Sequence, residues 1–219
     1  GVLSAVFFCQ LFFAESIASS NHDHEIDVVN IQELDPTILV DLRYSSKNNF
    51  LKKDMYGDLE ECYLRRKPAE MLCQANKHLK ASHPELRLLV FDGLRTRSVQ
   101  KKLWDALDTI PVSLRTQFVA DPKKGSIHNY GAAVDLTLAL ENGSELDMGT
   151  KYDHFGELAF PVLEDSLLAL GKLTDKQIEN RTILRQVMTK AGFSTIDSEW
   201  WHFDAFSRNE TKNKYTIVE

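Results

Sequence analysis

The alternation of apolar and polar residues predicts several strands. The segment ELRLLVFDG, residues 85–93, is almost continuously apolar and predicts a buried strand. The segment AAVDLTLAL, residues 132–140, predicts a second strand in which Asp135 shares a face with Thr137 and Ala139, while the other face is apolar. Two further runs are predicted to be strands, the β-rich 37–46 and the aromatic-rich 193–206.

Helical spacing and turn residues complete the predicted fold. Pro68 is tolerated in the first turn of a helix, Gly192 suits a position just after a helix end, and Asn142-Gly143 predicts a hairpin turn. Helices are predicted over 67–82, 96–108, around 161–171 and over 174–192. Because strands and helices follow one another without regular βαβ alternation, the sequence predicts an α+β fold with a mainly antiparallel sheet flanked by helices.

Length and charge limit the classes of function. With 219 residues, no internal repeat and no linker rich in Pro, Gly and Ser, the chain is expected to form a single domain. The net charge of -6 argues against nucleic acid or an anionic membrane surface as the main partner. A small-molecule or peptide substrate fits this composition better.

The first residues differ from the rest of the chain. Residues 2–14 form an uncharged apolar run that is too short to span a bilayer but has the length of a signal-peptide core. Small residues in Ser16-Ile17-Ala18 predict cleavage after Ala18. We therefore expect residues 1–18 to be a truncated signal peptide and 19–219 to be a periplasmic or secreted domain without stable membrane insertion; a buried amino-terminal helix is the alternative.

Export would change the state of the cysteines. Cys9 would leave with the signal peptide, so that Cys62 and Cys73 would form an even pair in an oxidising compartment. The alternative is two free thiols on one face of a helix, because a separation of eleven residues returns to nearly the same side. The sequence leaves both open.

The histidines separate into two groups. Four lie in polar or surface segments where solvent is expected to surround them: His22, His24, His78 and His83. Three remain as candidates for a site: His128, His154 and His202.

Two of these candidates have unusual neighbours. His128 lies seven residues before Asp135, and a carboxylate in an apolar strand needs a cation or hydrogen-bond partners to offset its desolvation. His202 follows Glu199 in EWWH, where two tryptophans would exclude water and raise the basicity of the carboxylate, as suits a general base. Two imidazoles and one carboxylate suit catalytic zinc, because they leave the ion net positive and a fourth position free for water.

The three-residue separation of Glu199 and His202 does not fit a shared site on a regular strand. In a regular strand, residues three apart face opposite sides, so Glu199 and His202 can share a site only if the strand ends, bulges or turns at Trp200-Trp201. Spacing alone therefore leaves the zinc site as one interpretation, beside an ordinary turn that runs into a strand.

The motifs resemble a known family. The pattern Ser126-x-His128-x-x-Gly131-x-Ala133-x-Asp135, followed by Glu199-Trp200-Trp201-His202, resembles the zinc-dependent D-alanyl-D-alanine dipeptidases, which are related to the zinc D,D-carboxypeptidases. Six further blocks resemble that family in the same order, over roughly residues 27–206: DLRYSSKNNF, YLRRKPAEML, FDGLR, AAVDLTL, LDMGTKYDHF and AGF before EWWHF. The resemblance implies a single domain of the hedgehog/D,D-peptidase type that hydrolyses the D-alanyl-D-alanine dipeptide.

The resemblance also implies roles for individual residues. It implies one zinc ion per chain held by His128, Asp135 and His202, with Glu199 as the catalytic base. It implies that Arg95 stabilises the oxyanion, which suits a permanently charged donor.

Each of the other assignments has an alternative. Arg95 could instead be a surface-loop arginine, and Arg97 competes for its role. Three residues match family positions that bind the substrate or form the wall of the site: Tyr44, Ser126 and Asp153. Asp153 would pair with the ammonium group of the dipeptide; its alternative is a helix N-cap ahead of His154.

Two departures from the family pattern affect the rim of the site. Thr96 stands where the family usually has Pro, which is expected to loosen the loop, and LKK at 51–53 replaces a common Gly after NNF. The alternative functions are a peptidoglycan D,D-carboxypeptidase or endopeptidase with the same zinc site, and a non-catalytic zinc-stabilised binding domain. The presence of both Glu199 and Arg95 argues against the latter, because a structural site needs neither.

Overall fold

The computed structural model describes residues 27–219. The strands are β1 (Val28–Asn30), β2 (Leu39–Val40), β3 (Tyr63–Arg65), β4 (Leu86–Asp92), β5 (Ala133–Leu140), β6 (Ser194–Thr195) and β7 (His202–Asp204). The α-helices are α1 (Ile31–Leu34), α2 (Arg66–Ser82), α3 (Arg97–Asp105), α4 (Glu164–Ala169), α5 (Asp175–Lys190) and α6 (Arg208–Lys214). Short 3-10 helices occupy Arg43–Ser45, Val112–Gln117, Ile127–Tyr130, Glu157–Ala159 and Pro161–Leu163.

A five-stranded sheet organises the chain. Its order is β2-β4-β5-β7-β6, with β2 parallel to β4 and every other neighbouring pair antiparallel, while β1 and β3 form a separate two-stranded sheet. The predicted α+β fold with a mainly antiparallel sheet is therefore confirmed.

The two faces of β5 differ in what covers them. Val134, Leu136 and Leu138 are fully buried in the main core, which α2 and α5 share from the same side. The opposite face carries Asp135 and Thr137, which are also buried. An apolar core thus supports one side of the central strand, and the polar side is free to form a site.

Most predicted elements are confirmed, although their bounds differ. Strands β4 and β5, helices α2, α3 and α5, and the turn at Asn142-Gly143 lie where the sequence predicts them. The run 37–46 contains only the two-residue β2 followed by a 3-10 turn, because its later residues leave the sheet to approach the site. Helix α6 has no counterpart in the sequence prediction.

The predicted strand over 193–206 is wrong in its centre. It forms two short strands, β6 and β7, that pair antiparallel with each other, and Trp200-Trp201 lie in the turn between them. The indole N–H of Trp200 donates to the Thr150 hydroxyl at 2.7 Å, and Trp201 is buried against Tyr152. Tertiary contacts of the two tryptophans therefore replace strand pairing in this segment.

The cysteines are free thiols in the structure. Cys62 is buried just before β3, against Gly93, whereas Cys73 lies half-buried on α2. The disulfide is therefore not formed, and the two residues do not share a helix face either, because Cys62 precedes the helix. Cys9 and the predicted signal peptide lie outside the described residues.

No helix within residues 27–219 combines the length and the apolarity that crossing a bilayer requires.

Candidate functional site

A row of polar residues crosses the sheet on the face opposite the main core. Asp135 on β5 lies directly opposite His202 on β7, and Asp92 at the end of β4 lies opposite Asp135 on the other side. Directly paired residues of antiparallel strands project their side chains on the same face. The register of three strands therefore brings the Asp135 carboxylate and the His202 imidazole together.

His128 reaches the same point from a 3-10 turn. Ser126 accepts a hydrogen bond from the His128 backbone N–H at 3.3 Å, and Gly131, with φ 69°, ends the turn in the left-handed conformation that favours glycine. The imidazole is thereby aimed back at β5, and it is almost entirely buried.

Three ligand atoms converge. His128 Nε2 lies 3.2 Å from His202 Nδ1 and 3.3 Å from Asp135 Oδ1, and His202 Nδ1 lies 2.9 Å from Asp135 Oδ1. In a tetrahedral site with metal-ligand bonds of about 2.1 Å, neighbouring ligand atoms are about 3.4 Å apart. The spacing and the donor set, two imidazoles and one carboxylate, thus fit one small divalent cation.

Hydrogen bonds fix the tautomers of both imidazoles. His128 Nδ1 lies 2.8 Å from the carbonyl oxygen of Gly93, so it carries the proton and leaves Nε2 free to bind a metal. His202 Nε2 lies 2.9 Å from Asp204 Oδ1, which leaves Nδ1 free in the same way. Partners of this kind orient the ligands of metal centres.

The second oxygen of Asp135 is also held. The Tyr152 hydroxyl donates to Asp135 Oδ2 at 3.0 Å, while Oδ1 faces the two histidines. Burial raises the pKa of the Asp135 carboxyl, but the attraction of His128 and His202 outweighs this and lowers it below its ordinary value. Asp135 is therefore held as a carboxylate with one oxygen presented to the metal position.

Removing the Tyr152 hydroxyl should weaken metal binding. In Tyr152→Phe the ring keeps its packing against Phe91 and Trp201, but Asp135 loses the hydrogen bond that orients it. We expect a loss of about tenfold in metal affinity, the low end of the 10- to 100-fold range for such partners. Competition with a chromophoric chelator measures it. Tyr63→Phe is the matched control, since the Tyr63 hydroxyl contacts only the exposed Glu61; equal affinities for both variants would contradict the role of Tyr152.

Glu199 stands beside this cluster because of the turn at Trp200-Trp201. Its Oε2 lies 4.0 Å from His202 Nδ1, so the two residues share the site despite their three-residue separation. The side chain is 36% exposed and lines the cavity. Burial raises the pKa of the Glu199 carboxyl above its ordinary value, and His202 offsets this only in part. A carboxylate of raised basicity is suited to accept a proton.

Arg95 is buried at the edge of the same cavity. Its guanidinium is paired with Asp92, with Nε 2.9 Å from Asp92 Oδ2, and Nη1 donates to Gln100 at 3.1 Å. It also lies over the Tyr44 ring, 5.0 Å from the centroid. Hydrogen bonds to Asp92 and Gln100 thus hold the guanidinium in a fixed position in the cavity wall.

The alternatives for this loop are contradicted. Arg97 points to a different cavity and pairs with Glu219, 3.3 Å away, whereas Arg95 is no surface arginine. Thr96 was expected to loosen the loop, and this is wrong: its hydroxyl accepts from the Val99 N–H at 3.3 Å and caps α3. The cap ties the residue after Arg95 to a regular helix.

Asp153 lies half-buried in the wall of the same cavity. It accepts a hydrogen bond from the Tyr44 hydroxyl at 3.0 Å, and its φ of 59° is a left-handed conformation that aspartate tolerates. Burial raises the pKa of its carboxyl well above the ordinary value, and the Asp135 carboxylate raises it further. No helix begins at His154, which is exposed, so the N-cap alternative for Asp153 is wrong.

The side chains of the predicted site residues line one cavity of about 240 Å³. Its wall contains the predicted set His128, Asp135, His202, Glu199, Arg95, Tyr44, Ser126 and Asp153. The volume lies below the range of about 300–1,000 Å³ that is usual for drug-sized ligands, which indicates a smaller ligand.

Several residues of the site escape the sequence analysis. Asp204 shares a face with His202 by strand alternation, which is a signal that period-two reasoning could use. Tyr152, Asp92 and the Gly93 carbonyl have no such signal, because their roles depend on which strands and loops are neighbours.

Comparisons with known proteins identify the family of the chain. The family model described as D-ala-D-ala dipeptidase matches residues 24–218. The chain is 30% identical over 178 residues to the D-alanyl-D-alanine dipeptidase of Escherichia coli (strain K12), which covers 81% of this chain and 84% of that protein. It is 28% identical over 196 residues to the D-alanyl-D-alanine dipeptidase of Enterococcus faecium, covering 82% and 91% of the two chains.

A solved structure is also similar. The structure described as VanYB in complex with D-Alanine-D-Alanine is 14% identical, with a TM-score of 0.41, and the match covers 69% of this chain and 76% of that chain.

Proposed function

The chain belongs to the D-ala-D-ala dipeptidase family of metallopeptidases, and on that premise we propose that it hydrolyses the D-alanyl-D-alanine dipeptide with one zinc ion and Glu199 as general base. The observation that carries the proposal is the small cavity whose wall joins three converging candidate metal ligands, a carboxylate of raised basicity and the half-buried acid Asp153.

Zinc is the proposed metal because the donor set and the ligand spacing suit it. His128, Asp135 and His202 would hold it, and their total charge of -1 leaves the ion positive. When bound, zinc lowers the pKa of a coordinated water toward about 7 and polarises a carbonyl group.

Glu199 transfers the proton, and Arg95 stabilises the negative charge that develops during the reaction. Glu199 accepts the proton of the attacking water and then passes it to the amine that leaves. Arg95 presents its guanidinium to the oxygen on which negative charge develops, and Asp92 and Gln100 hold that guanidinium in place. Preorganised donors of this kind stabilise a transition state without having to move.

Asp153 suits the free ammonium group of a dipeptide. As a half-buried acid whose pKa is raised by desolvation and by the Asp135 carboxylate, it is stabilised as a carboxylate when a cation enters the cavity. Tyr44 orients it through the 3.0 Å hydrogen bond. Ser126, whose hydroxyl lies in the same wall, is proposed to contact the substrate.

Blocking the ammonium group should therefore abolish efficient turnover. N-acetyl-D-Ala-D-Ala loses the charge, adds bulk and leaves Asp153 covered by the substrate without a cationic partner, at a cost of about 1–3 kcal/mol. This corresponds to a loss of about 5- to 150-fold in kcat/KM relative to the free dipeptide, at about 1.36 kcal/mol per tenfold. The measurement is alanine release from the dipeptide, its acetylated form and a pentapeptide that ends in D-Ala-D-Ala. Comparable rates on all three would favour a D,D-carboxypeptidase with the same metal site.

We also propose that the protein acts in the periplasm or outside the cell. The apolar run at 2–14 and the small residues before position 19 support this. Sequencing the amino terminus of the exported protein tests it, with Ser19 as the expected first residue.

A further inference from the structure

The catalytic cavity has a larger neighbour. A groove of about 540 Å³ lies beside it, and the two spaces share six wall residues: Glu199, Trp201, Phe118, Phe155, Thr116 and Gln117. The groove lies within the usual size range of ligand sites, whereas the 240 Å³ cavity does not reach it. These shared residues lie at the boundary between the catalytic cavity and the groove.

Two phenylalanines form the apolar part of this partition. The rings of Phe118 and Phe155 are in edge-to-face contact, with centroids 4.8 Å apart. Phe155 makes a second edge-to-face contact with Phe50, at 4.9 Å. The three rings come from three separate loops, so no regular element requires their meeting.

Phe155 lies close to a site residue in the sequence. It follows Asp153 by two residues, and Asp153 has a left-handed backbone with φ 59°. The side chain is 39% exposed, so it is not a core residue whose burial would explain the contact. Edge-to-face aromatic pairs contribute stability beyond area burial, which favours a defined wall over three independent rings.

The wall residues of the two spaces indicate which end of a bound dipeptide would face the groove. Glu199 lines both spaces, and it is the residue proposed to protonate the leaving amine. Asp153, proposed to bind the substrate ammonium, lines the small cavity but not the groove. A dipeptide held by its ammonium at Asp153 would therefore direct its carboxyl-terminal residue toward Phe118 and Phe155.

We propose that the Phe118–Phe155 wall limits the size of the carboxyl-terminal residue of the dipeptide. This inference rests on the proposed function. The wall keeps the small cavity separate from the groove, so a D-Ala residue fits on the leaving side and an aromatic residue meets the two rings. Replacing either phenylalanine by a smaller residue joins the cavity to the groove and admits a bulky carboxyl-terminal D-residue. The requirement for a free ammonium group remains.

The test compares D-Ala-D-Phe, D-Ala-D-Ala and N-acetyl-D-Ala-D-Ala as substrates of the zinc-loaded protein. In Phe155→Ala and in Phe118→Ala, the ratio of kcat/KM for D-Ala-D-Phe to that for D-Ala-D-Ala should rise about tenfold or more, as expected for a pocket that gains the volume of a side chain. Turnover of the acetylated dipeptide should stay as low as in the unmodified protein. Phe206→Ala is the matched control, because this half-buried phenylalanine packs against Tyr215 away from both spaces, and the ratio should not change.

The possible failures are distinguishable. If the unmodified protein cleaves D-Ala-D-Ala but neither folded, zinc-loaded variant raises the ratio, the wall does not set specificity. An equal gain on the acetylated dipeptide would place the groove at the amino-terminal end and overturn the inference. If the unmodified protein does not cleave D-Ala-D-Ala, the proposed function fails and the inference fails with it. A variant with a lowered melting temperature is replaced by Phe155→Leu, which keeps an apolar side chain but removes the ring.

Discussion

Glu199→Gln is expected to lower kcat for D-Ala-D-Ala by about 10²- to 10⁴-fold while the protein stays folded and keeps its zinc. The amide has nearly the shape of the carboxylate, but it cannot accept the proton of the attacking water or deliver it to the leaving amine. Because Glu199 lies 4.0 Å from His202 and is not one of the three converging atoms, zinc content should remain at one ion per chain. Steady-state kinetics and metal analysis of the same preparation measure both quantities.

Asp197→Asn provides the control for this variant. Asp197 lies two residues before Glu199 in the same segment, and it is exposed. The same change from carboxylate to amide should leave kcat unaltered there. Near-normal turnover of Glu199→Gln would mean that another group accepts the proton, whereas loss of zinc would mean that Glu199 supports the metal site.

His128→Ala is expected to abolish stoichiometric zinc binding and, with it, peptidase activity. The change removes one of three ligand atoms and leaves Asp135 and His202, which come from neighbouring strands, to hold the ion alone. Loss of a hydrogen-bond partner of a ligand typically costs 10- to 100-fold in metal affinity, so loss of the ligand itself should cost more than about 100-fold. Chelator competition and metal analysis after gel filtration measure the effect.

His78→Ala is the matched control for the histidine. His78 lies on helix α2, and its ring contacts Gln74 at the surface. Zinc affinity should be unchanged in this variant. Full zinc occupancy in His128→Ala would overturn the ligand assignment. It would mean that another side chain, such as Asp204, Glu199 or His154, binds the ion.

The elements that carry the site were largely predictable from local sequence. Periodicity identifies β4, β5, α2, α3 and α5 because each has a continuous pattern over at least seven residues. The faces of β5 follow from strand alternation, so the contrast between buried Asp135 and the apolar Val134 and Leu136 is visible in the sequence. The spaced motifs, by their resemblance to a family, also identify the residues that converge in the cavity.

Other features depend on tertiary structure. Local pattern reads residues 193–206 as one strand, but the packing of Trp200 and Trp201 breaks it, and only this break places Glu199 beside His202. The hydrogen-bond partners of the proposed metal ligands, Tyr152 and Asp204, depend on which loops and strands lie next to each other. Thr96 capping α3 likewise depends on where the helix begins.

The sequence by itself determined the types of residue available for chemistry, the alternation that separates polar from apolar faces, and the order of the elements. These are local properties, set by side-chain type and by the periods of strand and helix. The tertiary structure decided the strand register that aligns Asp92, Asp135 and His202, the tautomers of the imidazoles, and the meeting of Phe118 and Phe155 from separate loops. Each of these joins residues far apart in the chain, and such contacts form only when packing of the whole core outweighs the entropy lost in closing the loops between them.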